Sequence, residues 1–396
     1  MTAQLRELLD LFIRWVHLIA GIMWIGNSLL FNWLDRNLEK PEGNKDPNYQ
    51  GKIWLLHSGA FYDVDKKLLR PNEMPAKLHW FKWQNFTTWA SGILLLFVVY
   101  YAGGGALLID PAVRALGPVV AISISLTFIV VSWFFYDLVW ISPLAKRPFW
   151  AAAISFVYMG LVAFALTKIF SGRAAYIHVG VILGTLMTGN VWFVIVPSQR
   201  ELVAATIEGR DQDAAISLRA KERSIHNNYM TFPLLFMMIS NHFPSTYGSK
   251  HSWIVLFTIA IGGALSRHVL NIRFNYKSWL PAIAFVIAGT VVSLFFLTKP
   301  EHAEHAQQEK IAFHTVQAVM HERCLQCHSA HPTDDVWKTA PAGVMFDTPD
   351  QIKRLAPRIK ERAVISRTMP LQNKTQITQS ERDLIGDWID EGAPMD

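Results

Sequence analysis

The sequence predicts an all-α protein in two parts: a polytopic membrane helix bundle of about eight spans, followed by a small soluble helical domain. Three observations carry this prediction. Of the 396 residues, 51% are apolar and 15 are Trp, and the apolar residues gather in runs long enough to fill a bilayer. From about Lys299 the composition returns to that of a charged soluble domain. Lys and Arg also fall unevenly between alternate loops. The predicted parts are residues 1–298 for the integral membrane domain, 299–313 for a linker and 314–396 for the C-terminal domain.

The apolar runs predict spans at roughly 11–34, 84–103, 117–141, 149–171, 176–196, 229–243, 252–270 and 279–298. The first, Leu11 to Leu34, has no small-residue cleavage site behind it and reads as a retained span. The sixth is short and ends in the polar Asn241-His242. Loops after spans one, three, five and seven hold 9, 2, 5 and 2 Lys/Arg, whereas segments 1–10, 104–116, 172–175 and 244–251 hold one each. The positive-inside rule therefore places both termini outside and the basic loops in the cytoplasm. Flanking Lys and Arg also explain the net charge of +6, which gives no argument for nucleic acid.

In span one, Arg14, His17, Gly21, Trp24 and Ser28 share one helix face. Lipid penalises such a polar, small-residue stripe, so it faces protein or a cofactor. The aromatic loop 35–83 is too long to be structureless and is expected to cover the cytoplasmic face. Asp137 closes span three. Span five begins with His178 and carries Gly180, Gly184 and Thr188 as a close-packing face. A charged helix-like segment, 199–223, leads to Ser224-Ile225-His226-Asn227-Asn228-Tyr229, which opens span six. Span seven finishes with Arg267-His268, Asn271 and Arg273. The histidines then form two layers, His17, His178 and His242 outward and His226 and His268 inward. They serve either as interfacial hydrogen-bonding groups or as ligands. A b-type haem in the membrane domain, with His17 as one ligand and His178 or His242 as the other, is the sharper expectation. The tether's His302 and His305 sit in a polar stretch that suits a linker better than a metal site.

The C-terminal domain contains Cys324-Leu325-Gln326-Cys327-His328. This C-x-x-C-H form attaches haem covalently: two thiols add to vinyl groups, and the next imidazole becomes an axial ligand. It predicts a small c-type cytochrome domain with one haem c. Met369, in Arg367-Thr368-Met369-Pro370, is the expected second axial ligand, with Met320 and Met345 as nearby alternatives. A zinc half-site or a redox dithiol is the competing reading, but the chain has only these two cysteines. Helices are expected from His314 to Arg323 and from Asp383 to Glu391. In bacteria haem is attached at such motifs on the periplasmic side, in agreement with the charge-derived topology.

The chain resembles the bacterial membrane-bound urate hydroxylase (urate oxidase) family, which joins an integral membrane domain to a C-terminal cytochrome c. The resemblance runs almost end to end. It is carried by Arg14-Trp15-Val16-His17 through Trp24-Ile25-Gly26, Gly59 to Asp63, Thr188 to Arg200, His226-Asn227-Asn228-Tyr229 and Ser240-Asn241-His242-Phe243-Pro244. It implies oxidation of urate with water to 5-hydroxyisourate at the bacterial inner membrane. Electrons would pass to the fused cytochrome and on to a downstream periplasmic cytochrome or terminal oxidase. Chemistry then suggests where a planar anion would bind. Arg267, Asn271 and Asn227 supply a guanidinium and amides for it, and a neutral His226 or His268 supplies a proton acceptor. The alternatives are a non-catalytic, quinol-linked electron carrier and a subunit anchoring a cytochrome to an oxidase.

Overall fold

The computed structural model describes residues 3–299 and 311–395, apart from Pro41, Asn44, Gly103, Ala106 and Ala112. The chain opens with α1 (Ala3–Asn37), then a hairpin of β1 (Tyr49–His57) and β2 (Ala60–Lys67), then α2 (Lys82–Leu95). The bundle continues with α3 (Pro118–Ile141), α4 (Pro148–Ile169), α5 (Gly172–Gly189) and α6 (Val196–Glu208). It ends with α7 (Ala214–Ile239), the short α8 (Pro244–Tyr247), α9 (Ser252–Ile272) and α10 (Trp279–Leu297). The C-terminal domain adds α11 (Phe313–Arg323), α12 (Pro349–Ile359) and α13 (Gln379–Asp390).

Local chemistry sets several starts. Pro118 and Pro148 stand in the first turns of α3 and α4, where a missing N–H costs nothing. The Ser171 hydroxyl accepts from the Ala174 amide at the head of α5, and the Asp213 carboxylate accepts from Ala215 at the head of α7. Within the bundle, two π-helical turns interrupt the regular winding among the described residues, Leu96–Tyr101 after α2 and Asn190–Ile195 between α5 and α6. The second joins its neighbours into one rod from Gly172 to Glu208. Such turns widen a helix locally and gather at functional positions.

Helix α5 is the centre of the bundle: twelve of its eighteen residues are buried, and it packs on α2, α3, α4 and α7. The small-residue face read from the sequence is what allows this. A Cβ at Gly180 would lie 2.6 Å from Met238 and 2.9 Å from Met237, so only glycine lets α5 and α7 approach. At the periphery, α10 packs on α9 yet buries none of its residues. Its Phe285, Phe295 and Phe296 point outward with about the exposure of free side chains, a surface suited to hydrocarbon.

Among the described residues, six helices are long and apolar enough to cross a membrane. They correspond to predicted spans one, three, four, five, seven and eight. The other two are helical but fall short. Helix α2 has only fourteen residues before its π-turn, and the first half of α7 carries Arg219, Lys221, Glu222 and Arg223. The long loop is not helical, which departs from an all-α reading. Its β1 and β2 pair antiparallel around Ser58-Gly59, both at positive φ, the geometry of a tight hairpin turn. Lys66 ties the hairpin to Asp35 of α1 at 2.6 Å.

Residues 300–310 lie outside the described residues, so most of the 299–313 linker, with His302 and His305, is not placed. Beyond it, α11 and α13 cross, with the Phe313 and Trp388 rings 5.5 Å apart and Arg323 paired to Glu381 at 2.9 Å. Capping boxes open α12 at Thr348/Gln351 and α13 at Thr378/Glu381. Val316, Met320, Ile352, Ile385 and Trp388 fill the core between them.

Candidate functional site

Four successive residues of α7 divide between two polar clusters, because each step around a helix turns about 100°. Asn228 and Tyr229 face α9. The Asn228 Oδ1 accepts from Arg267 Nε at 3.0 Å and from Asn271 Nδ2 at 2.7 Å. Arg267 is only 4% exposed, and no hydrogen bond from its two terminal nitrogens is seen among the described residues. Asn271 Oδ1 is buried without a partner among the described residues. Arg36 and Arg273 lie within electrostatic reach of Arg267, and its guanidinium stacks 5.5 Å from the Phe232 ring. Beside this group, the Tyr229 hydroxyl meets His268 Nδ1 at 2.7 Å. The seam therefore offers a positively charged fork, an orphaned acceptor and a tyrosine–histidine pair.

His226 and Asn227 turn away from that seam. Asn227 accepts from Asn190 Nδ2 at 2.8 Å, and Asn190 also donates to the Tyr136 hydroxyl at 2.9 Å. Tyr136 in turn meets His226 Nδ1 at 2.8 Å, with the Trp140 ring 3.9 Å from the imidazole. Arg223, 1% exposed, anchors the cluster through Asp137 at 2.6 Å. Thus the structure joins Arg267 and Asn271 as the sequence suggested, but with Asn228 in place of Asn227. His226 belongs to a second network around Arg223, Asp137, Asn190 and Tyr136. Helical spacing held the signal for Arg223, since it stands four residues before Asn227 on the same face.

His17, His178 and His242 differ from one another. His178 is fully buried, with Nδ1 on the Ala174 carbonyl at 2.7 Å and Nε2 on the Ser125 hydroxyl at 2.6 Å. Both of its nitrogens are engaged. His17 meets the Thr88 carbonyl at 2.9 Å and the Ser91 hydroxyl at 3.1 Å, both through Nδ1. Its ring lies so close to Gly92 that a Cβ there would be 3.0 Å away. That leaves Nε2 available, the posture a metal-binding imidazole adopts when its other nitrogen is held by a carbonyl. It also puts His17 opposite the middle of the α2 course rather than at its outer end. His242 lies in a single 3-10 turn, Ser240–His242, after α7.

In the C-terminal domain, His328 Nδ1 meets the Val344 carbonyl at 2.9 Å, which again leaves Nε2 for a ligand bond. Burial pushes the Cys324 thiol up to about 12. Burial, with Asp334 alongside, pushes Cys327 up to about 11. Two cysteines and one histidine also fall short of the four ligands that a structural zinc site takes. Among the described residues no group of three or more His, Cys, Asp or Glu gathers to hold a metal. Met320 is buried in the core, its Sδ 3.7 Å from Cys324 Sγ. Met345 follows Val344, whose carbonyl meets His328 Nδ1. Met369 stands in a separate strap: its carbonyl accepts from Arg382 Nη1 at 2.7 Å, and its amide donates to the Arg362 carbonyl at 2.9 Å. Arg382 also lies within electrostatic reach of Cys324, so one buried guanidinium relates the strap to the cysteine motif. Nothing in the residues flanking Arg382 marks it for this role in a single sequence. The residues present thus fit a covalently held haem.

Residues 3–299 match the family model described as urate oxidase N-terminal. The match covers the helical bundle and stops where α10 has ended. No curated protein and no solved structure matches the chain.

Proposed function

The chain belongs to the urate oxidase N-terminal family, and from that premise we propose that it is a membrane-bound oxidoreductase that converts urate and water to 5-hydroxyisourate. The observation that carries the site is the α7–α9 seam. Arg267 is buried with its outer edge unused, next to the orphaned Asn271 oxygen. A planar purine anion matches that set: the guanidinium takes adjacent acceptor atoms as a fork, and Asn271 Oδ1 accepts a ring N–H. Arg36 and Arg273 add attraction for the anion. Asn228 fixes the orientation of both Arg267 and Asn271. Tyr229 and His268 stand beside the bound ring, and His268, its Nδ1 on the tyrosine hydroxyl, accepts a proton at Nε2.

The oxidation releases two electrons and two protons from urate and water. In this reading the bundle crosses the bacterial inner membrane eight times with both termini periplasmic, α2 and α7 completing the six strongly apolar spans. The C-terminal domain is a c-type cytochrome, with Cys324 and Cys327 binding haem covalently and His328 and Met369 as axial ligands. That haem supplies one-electron acceptance and passage to a periplasmic cytochrome or terminal oxidase. His17 is the residue best prepared to hold a further b-type haem within the bundle.

The test is anaerobic addition of urate to the purified, haem-loaded protein. Reduction of the c-type haem with formation of 5-hydroxyisourate is expected. A haem that dithionite reduces and urate does not would overturn the reading and favour a plain electron carrier.

A further inference from the structure

At the end of the bundle formed by the 104–116 loop and α8, three contacts meet the C-terminal domain. Gly248 lies so close to the strap that a Cβ there would sit 2.1 Å from the Ser366 carbonyl oxygen. Tyr247 lies within electrostatic reach of Arg362. Asp110, on the other loop, is within electrostatic reach of Arg382. All three partners belong to the strap that carries Met369 or hold it in place: Met369 N bonds the Arg362 carbonyl, and Arg382 bonds the Met369 carbonyl. Behind Tyr247 the bundle is aromatic. The Tyr176 ring is 6.1 Å away, and its hydroxyl pins the turn by donating to the Thr246 and Ser252 carbonyls. Tyr100, whose buried hydroxyl has no partner among the described residues, approaches the same side, 6.0 Å from the His178 ring.

We propose that this end of the bundle is a docking port that grips the Met369 strap and passes electrons to the C-terminal domain through Tyr247 and Gly248. The electron step rests on the urate reading above; the docking does not. Each urate oxidised gives up two electrons and, with water, two protons. The single c-type haem takes the electrons one at a time, so the port is used twice per turnover. Contact without side-chain bulk at Gly248 keeps the strap's backbone against the bundle, and the Asp110–Arg382 attraction orients it. These two loops are also the ones that the charge asymmetry assigns to the outer side, where a covalent haem must be attached.

The experiment uses the full-length, haem-loaded protein with Gly248→Ala and, separately, Asp110→Arg. The alanine methyl also approaches the Pro244 carbonyl, at 2.9 Å, so the charge reversal serves as the variant that spares the turn. Hydrogen exchange of peptides 244–250 and 362–370 is measured first. Urate-driven haem reduction is then compared with urate oxidation by a soluble dye acceptor. Both variants should lose protection in both peptides, and haem reduction should slow about tenfold, as a misplacement near 1 Å allows, while dye-linked oxidation holds. Unchanged protection in both variants overturns the port. Lost protection with an unchanged reduction rate overturns the electron step. A wild-type protein that oxidises no urate, while its two variants still lose protection, leaves the port standing and removes the urate reading instead.

Discussion

Replacing Arg267 by Lys separates the shape of the guanidinium from its charge. The native side chain is buried and, among the described residues, hydrogen-bonds only through Nε, at 3.0 Å from Asn228, which leaves both terminal nitrogens for the substrate. Lysine keeps the charge and loses the fork. One charge-assisted hydrogen bond contributes about 1.5–3 kcal/mol, which corresponds to a fall of roughly 10- to 150-fold in kcat/KM for urate. Arg267→Gln removes the charge as well and is expected to cost about a further tenfold. Folding should be spared, because Asn228 Oδ1 retains its bond from Asn271 at 2.7 Å. The assay is anaerobic haem reduction against urate concentration, with covalent haem content and thermal unfolding as controls. If Arg267→Lys stays within about twofold of the parent in kcat/KM, the seam is not the urate site, since no bound anion would leave so modest a signature on losing its fork.

Met369→Ala should abolish the long-wavelength Met-to-iron absorption band and lower the reduction potential, whereas Met320→Ala should leave the band in place; redox titration with optical spectra distinguishes them. Asp137→Asn leaves the Arg223 guanidinium buried without its counter-ion. It should destabilise the protein by about 3 kcal/mol, near the low end for buried pairs because Asp137 is partly exposed, as a lowered unfolding midpoint in detergent would show. Acid stability should depend on Asp334. Burial alone would raise its carboxyl, but hydrogen bonds from Lys374 and the Trp337 and Val336 amides outweigh that and hold it at about 2. A folded value below the unfolded one, about 3.9, means the stabilisation is complete above pH ~4 and is lost as pH falls toward 2. Lys374 is partly exposed, which reduces the effect to about 1–2 kcal/mol. Asp334→Asn should flatten this acid limb in pH-dependent unfolding of the haem-loaded protein.

Bundle helices whose apolar residues run unbroken were legible because bilayer crossing and core burial both demand such runs. Helix α7 was harder. Its charged first half looked like a surface segment, yet Arg223 is buried against Asp137, and pairing across helices leaves no mark in a single sequence. Arg267 and Asn271 were legible together because a spacing of four puts them on one face. Asn227 and Asn228 were not separable, since only the position of α9 decides which amide joins them. The hairpin in the long loop was hidden by its weak alternation: Phe61 and Tyr62 are both exposed, so no buried face wrote a period of two into the sequence.

The seam and the docking port lie at opposite ends of the bundle, and this separation constrains how electrons can travel. Arg267 stands five residues from the C-terminal end of α9, whereas Gly248 precedes its N-terminal end. A hydrocarbon core of about 30 Å between them is too wide for a single transfer. His17 is the histidine placed between the ends, opposite Thr88–Gly92, with its second nitrogen available. His178 lies in the first half of α5 and would have to give up either Ser125 or Ala174 to bind a metal. The expectation is therefore specific to one residue. Acidified acetone should extract a non-covalent haem from the full-length protein while the covalent haem stays with the chain. His17→Ala should lose the extractable haem, and His178→Ala should keep it while unfolding at lower temperature, since two buried polar partners, the Ser125 hydroxyl and the Ala174 carbonyl, lose their bonds. Extracts that are colourless from the parent protein would remove the relay, and the urate site would then have to open on the same side as the port.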